Sequence, residues 1–314
     1  MKKTMIALAA VAAVGAASAQ VSITGSTTAY WMNTSDNSSA GMVLGGAAIV
    51  FAASEDMGGG YSAAAKMELN MDGGRSANNT RSDRSISLAG PIGSLTMANT
   101  RSGGTAGMAF VAPTNLWNDY WGAGAAILAR GNVDALVLGV PLSKELTVMG
   151  KYIEGADGSA PPTSASYVAT AKWASGPLVI VADAVSTTYT DAARAAIAAT
   201  VPSPRTQSYD VTATYNAGFA NFGLGYDSPR RGKQEGTDQG AVLASFAVPL
   251  GAATAGLNYG LRDGQSIIQL GAAYSLSKRT TLNLSWCQYT NAPTAAGAAV
   301  PAVVESALSL SHSF

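Results

Sequence analysis

From Val21 to its last residue this chain changes face at almost every step. Segment after segment alternates apolar and polar residues with a period of two, and turns rich in Gly, Pro, Asn and Asp break the segments apart. Tyr61 to Met71 is the clearest: Tyr61, Ala63, Ala65, Met67, Leu69 and Met71 fall on one side, Ser62, Lys66, Glu68 and Asn70 on the other. At the far end Val304, Leu308, Leu310 and Phe314 oppose Glu305, Ser309, Ser311 and Ser313. A helix would scatter such a pattern around its axis, whereas a pleated strand sorts it onto two faces. The chain is therefore predicted to be all-β. One apolar face per strand has two outlets: a second sheet in a soluble sandwich, or lipid around a barrel.

The ends and the composition favour lipid. Lys2 and Lys3 precede an apolar stretch from Ile6 to Val14, and Ala17-Ser18-Ala19 is a small-x-small cleavage pattern before Gln20. That is the form of a secretory signal peptide over residues 1–19, and the stretch is shorter than the roughly 20 residues a membrane-crossing helix needs. The exported part would run over 20–314. Without Lys2 and Lys3, 17 basic residues face 19 acidic ones, which is not the footprint of a nucleic-acid binder. Only 12% of residues are charged, about half the share usual for a soluble domain. Beyond the leader no apolar run reaches 18 residues, which excludes helical spans and leaves β spans open. An apolar Phe314 beside a terminal carboxylate fits a strand that ends at a membrane surface.

Little in the chain suggests catalysis. The single cysteine, Cys287, cannot form an internal disulfide, and the single histidine, His312, rules out a multi-histidine metal site. Neither a phosphate loop nor a paired-carboxylate site is present. Glu55 and Asp56 sit together in a Gly-rich turn. The expectation is no enzyme, no metal and no cofactor.

The parse yields strands over 21–32, 42–53, 61–71, 84–89, 94–101, 124–140, 145–154, 166–174, 178–189, 206–216, 219–227, 239–249, 252–262, 266–276, 280–291 and 303–314. Sixteen strands return the last one to the side where the first began. Short connections recur at every second junction, and most of the others are long and polar, as in bacterial outer-membrane barrels. Aromatics cluster near strand ends in two groups, the pattern of an interfacial girdle. One group is Tyr30, Trp31, Tyr152, Tyr167, Tyr189, Tyr209, Tyr226 and Tyr289; the other is Tyr61, Trp173, Tyr215, Phe219, Tyr274 and Phe314. Such a sheet must close, because an open edge in hydrocarbon leaves backbone groups unpaired.

Four stretches carry a family resemblance: Ser54-Glu55-Asp56-Met57-Gly58-Gly59-Gly60, read as a tight turn; Arg84 to Asn99; Tyr274 to Thr280; and Leu308 to Phe314. Taken in order they resemble the general porins of Gram-negative bacteria. The resemblance implies a homotrimer of sixteen-stranded barrels in the outer membrane, amid lipid and lipopolysaccharide, each with a water-filled channel for ions and small hydrophilic solutes. It also implies a third outer loop folded into the lumen, here Ser102 to about Gly122, and a C-terminal strand ending on Phe314 that the barrel assembly machinery reads.

The resemblance further implies acidic loop residues set against wall arginines. This chain departs from that: the expected arginines fall at Ala48 and Asn99, with Arg101 two residues on and Arg130 beyond the loop. Candidate channel-lining residues are Lys66, Glu68, Arg84, Asn99, Arg101, Asp119 and Arg130. Phe110, Trp117, Tyr120 and Trp121 give the loop an aromatic character, either packing on the inner wall or offering a stacking platform. Arg230, Arg231 and Lys233 form a small basic run in an outer loop. The expected function is passive diffusion through a weakly charged constriction. A substrate-specific channel and a secreted β-rich adhesin or structural domain are the alternatives.

Overall fold

The computed structural model describes residues 20–35, 40–71, 80–81, 83–103, 105–114, 130–154, 164–198, 205–229, 240–262, 265–290 and 302–314. They form β1 (Gln20–Thr34), β2 (Ala40–Gly58), β3 (Tyr61–Met71), β4 (Thr80–Arg81), β5 (Arg84–Gly90), β6 (Gly93–Gly103), β7 (Arg130–Pro141), β8 (Leu146–Glu154) and β9 (Ser164–Ser175). The wall continues with β10 (Leu178–Tyr189), β11 (Gln207–Asn216), β12 (Asn221–Asp227), β13 (Ala241–Leu250), β14 (Ala253–Arg262), β15 (Gln265–Ser275), β16 (Thr280–Thr290) and β17 (Val303–Ser313). Both β4 and β5 pair with β3, so they are two parts of one strand interrupted next to Asp83. The wall thus has sixteen strands, each antiparallel to its neighbours. β17 pairs with β1, and the sheet closes into a barrel.

Closure removes both edges, so every strand's backbone groups find a partner in the wall. The seam is finished by Phe314, which exchanges backbone hydrogen bonds with Gly25: Gly25 N–H donates to the Phe314 carbonyl at 3.0 Å, and Phe314 N–H donates back at 2.9 Å. The Phe314 ring then lies over Gly25, where a side chain would collide with its Cε2 at 2.8 Å. An aromatic thus covers the glycine across the first and last strands.

The register sorts each strand's residues into two sets. One contains the exposed apolar side chains, among them Val21, Ile23, Ile86, Leu88, Leu136, Leu138, Leu224, Leu284, Leu308 and Leu310. The other contains small and polar residues such as Ser85, Ser87, Ser245, Asn258, Ser285 and Ser309. In a closed barrel the apolar set is the outer surface and the polar set lines the interior, the arrangement of a lipid-facing barrel around water. Among the described residues no helix is long and apolar enough to cross a membrane.

Several boundaries differ from expectation. β2 runs on through Ser54-Glu55-Asp56-Met57-Gly58 as strand, and only Gly59 and Gly60, both at positive φ, make the turn. The ladder extends because Glu55 and Asp56 still pair with Ala63 and Ser62. β7 is described from Arg130, and its expected start at 124 lies outside the described residues. The girdle is only partly as read: Trp31, Tyr167 and Tyr209 are exposed on the outer surface, as are Tyr61, Trp173, Tyr215 and Tyr274. Tyr30 and Tyr289 face inward instead, Tyr30 in register with Ser309 and Tyr289 with the buried Ile267. A short helix, Asp191–Ala198, follows β10.

Candidate functional site

The inner surface is not uniform, because one segment of chain covers part of it. After β6 the chain makes a 3-10 turn, Thr105–Ala109, and continues to Thr114 against the inward face of β11 to β15. Three side-chain contacts to its backbone hold it. Ser245 Oγ donates to the Ala109 carbonyl and accepts from Val111 N–H at 3.0 Å, and Asn258 Oδ1 accepts from Ala112 N–H at 3.1 Å. Asn258 is itself fixed, its amide donating to Gln269 Oε1 at 3.1 Å. An irregular segment has no ladder of its own, so wall side chains supply the partners its buried amides need.

The segment fits because the wall beneath it lacks side chains. A Cβ on Gly223 would run into the Ala109 carbonyl, and one on Gly271 into that of Pro113. A Cβ on Gly256 would meet that of Ala112 at 2.8 Å, and one on Gly260 would approach the Phe110 ring at 3.4 Å. These four glycines form a track across β12, β14 and β15. Glycine inside a strand weakens it, and close approach of another backbone is a standard reason for its presence. Phe110 anchors the segment, packed against Ala109, Ala241, Leu243, Ile267, Cys287 and Tyr289.

Among the described residues nothing covers the opposite wall. Lys66 and Glu68 lie on the inward face of β3 and form an ion pair at 3.0 Å, with side chains 48% and 20% exposed. Lys66 borders a recess of about 320 Å³ with Gln20, Ser22, Ala52 and Ser85. Ala48, one expected arginine position, faces inward between Ser26 and Asn70 in the ladder.

The register corrects two of the channel-lining candidates. Arg84 pairs with Met67 and with Asn99, and Asn99 pairs with Asp134, so the three polar residues share the outer surface with Ile86, Leu88, Leu95 and Met97. Asn99 Nδ2 donates to Asp134 Oδ1 at 2.6 Å, a contact outside the barrel rather than in the lumen. The cause is the period of two: Arg84 has the parity of Ile86, and Asn99 that of Met97. Arg101 and Arg130 pair with Asn132 and Gly103, and their side chains lie outside the described residues. Trp117, Asp119, Tyr120, Trp121, Arg230, Arg231 and Lys233 also lie outside them, as does the leader.

The sequence reading missed the charges that do face inward. Asp183, Asp210 and Asp227 stand opposite one another on β10, β11 and β12. Lys151 approaches Asp183 Oδ2 at 4.0 Å from β8, and Arg262 pairs with Asp227 from β14. Glu305 is also inward and fully buried, in register with Thr34 and Cys287. Only the register aligns three aspartates so far apart in sequence. A hint was available in Tyr209-Asp210 and Tyr226-Asp227, where an acid follows a tyrosine near one end of a strand.

Comparison with known proteins agrees with this architecture. A family model described as Gram-negative porin matches residues 5–292. Among solved structures, the chain resembles an anion-selective porin from Comamonas acidovorans with a TM-score of 0.68 and 18% identity, covering 95% of this chain and 100% of that one. It also resembles OmpT, an outer-membrane protein of Vibrio cholerae in its trimer form, with a TM-score of 0.66 and 11% identity over 95% and 100% of the two chains. A mutant of the Rh. blastica porin gives 0.62 and 13% over 94% and 100%. No curated protein matches the chain.

Proposed function

The chain belongs to the Gram-negative porin family, an outer-membrane channel for passive diffusion of small solutes rather than an enzyme, and we propose that its pore is narrowed by the segment after β6 and only weakly selective. One observation carries this reading. The 105–114 segment rests on the inward wall, and the charges around it are largely matched: Lys66 with Glu68, Lys151 with Asp183, Arg262 with Asp227. A paired charge in a narrow lumen projects much less field than a free one, since a unit charge at about 4 Å is worth several kcal/mol at intermediate dielectric and its partner cancels most of that. The stretch up to Gly122, with Asp119 and the aromatics Trp117, Tyr120 and Trp121, completes the constriction in this proposal.

The test is a reversal potential in a planar bilayer under a salt gradient. Permeability for the two ion signs should be similar; strong preference for either sign overturns the proposal. Graded exclusion of uncharged sugars by size supports a general pore, whereas saturable block by one sugar favours a substrate-specific channel.

The same proposal includes a homotrimer, a leader cleaved before Gln20, and contact with lipopolysaccharide and the barrel assembly machinery. Support for the assembly role comes from the Phe314 seam with Gly25. Deleting Phe314 should reduce folded barrels in the outer-membrane fraction far more than it changes conductance of those that form.

A further inference from the structure

We propose that the covered wall holds a binding site for a monovalent cation between Thr170 and Asp183, at the head of the aspartate row. Thr170 and Asp183 face each other across β9 and β10 on the inward side, with Asp210 next in register on β11. All three are shut from solvent, at 3%, 6% and 5% exposure. Val168 and Val181, both buried, flank them along the same two strands. Two oxygens in this dry setting have no partner: Thr170 Oγ1 and Asp183 Oδ1. A buried carboxylate oxygen without a partner is among the most costly states a polar group can have, and a neighbouring hydroxyl in the same condition doubles the anomaly. Both vacant acceptors belong to one register pair, so a single ligand can serve both.

The charge balance favours a cation over a water molecule. Like charges opposite one another on neighbouring strands destabilise the wall, and here three carboxylates stand in line. Arg262 is spent on Asp227, and Lys151 reaches only the other oxygen of Asp183, Oδ2, at 4.0 Å. Lys172, two residues from Thr170 on the same face, is exposed and opposite Val181. Asp183 Oδ1 is therefore left without a partner by both cations.

The donor set is oxygen only, which selects hard cations. Among the described residues no group of three or more His, Cys, Asp or Glu is arranged to hold a metal ion. A carboxylate and a hydroxyl are too few for a divalent cage, and they suit an ion of single charge held weakly enough to exchange with the channel. The 3-10 turn Thr105–Ala109, which packs against β10 to β13, covers this part of the wall.

The site rests on reading the polar face as the lumen, and the test separates the two. Crystals of the full exported protein soaked in rubidium chloride should show an anomalous peak bonded to Thr170 Oγ1 and Asp183 Oδ1. Thr170→Val removes the hydroxyl without altering charge; it should abolish the peak and lower cation permeability relative to chloride in bilayers. Asp183→Asn should abolish the peak as well. Density without anomalous signal, meaning a water, or a peak that survives in Thr170→Val, overturns the site. Protein that inserts but conducts no ions would instead overturn the channel reading beneath it.

Discussion

Two opposite parts of the barrel wall, β12 to β15 and β2 to β5, are built from the same kind of antiparallel strand and do opposite things. Around β12 to β15 the inward face carries glycines on either side of the Ser245–Asn258 pair, and a second layer of chain lies on it. Around β2 to β5 the inward face carries Ala, Ser, Lys66 and Glu68, and nothing described covers it. The outer surfaces of both carry exposed apolar side chains, so lipid contact is common to them. The difference lies in what each inner face must hold, a backbone on one side and water on the other.

Enlarging the glycine track should break that contrast most severely. Gly271→Leu or Gly223→Val puts atoms where the Pro113 or Ala109 carbonyl now lies, and overpacking of this kind costs about 1–3 kcal/mol or more. The ladder of the wall is continuous and the segment is not, so the segment gives way toward the pore axis. Single-channel conductance should fall and open-channel noise rise, with barrels still recovered as folded oligomers. Gly150→Leu is the control: a Cβ there meets nothing within 4 Å, and conductance should stay as it is.

A milder loosening follows from cutting the hydrogen bonds. The double variant Ser245→Ala, Asn258→Ala leaves the amides of Val111 and Ala112 without partners, at about 1–3 kcal/mol for each buried group. Noise should increase with less change in mean conductance than the glycine variants cause, read from the same bilayer recordings. If noise is unchanged, the glycine track and the Phe110 anchor alone fix the segment.

On the open wall, Lys66→Met frees Glu68 from its ion pair. Exposed pairs are worth about 0–1 kcal/mol, so stability should hardly move while the reversal potential shifts slightly toward cations. Arg84→Leu should produce the smallest effect, none on conductance or selectivity, because Arg84 belongs to the outer surface. A selectivity change there would contradict the assigned face.

How much of this was readable in the sequence depended on whether the signal was local. Tyr61 to Met71 sorts itself, and Lys66 and Glu68 fall on the inward side as its alternation requires. Arg84 and Asn99 were equally legible, since each shares a parity with Ile86 and Leu88 or with Leu95 and Met97, but Arg84 was read for its charge and Asn99 for a position the family resemblance implies. Leu178 to Tyr189 is apolar on both faces, with Val181 and Val185 on either side of Asp183, so no pattern marks Asp183 as inward. The row Asp183, Asp210 and Asp227 exists only in the register, which pattern alone does not specify across loops of unknown length. The glycine track was hidden for a related reason: Gly223, Gly256, Gly260 and Gly271 look like weak points of separate strands until a distant backbone is laid across them.

That track has an evolutionary consequence. Every amino-acid replacement reachable from a glycine codon by one base change adds a Cβ, so four separate positions each place a tighter pore a single mutational step away. None of the four contributes to the outer surface or to the β1–β17 seam, so such a step leaves export and closure alone. Permeability in this barrel is therefore adjustable by inheritance, in small increments and largely in one direction, while the wall that carries it stays the same.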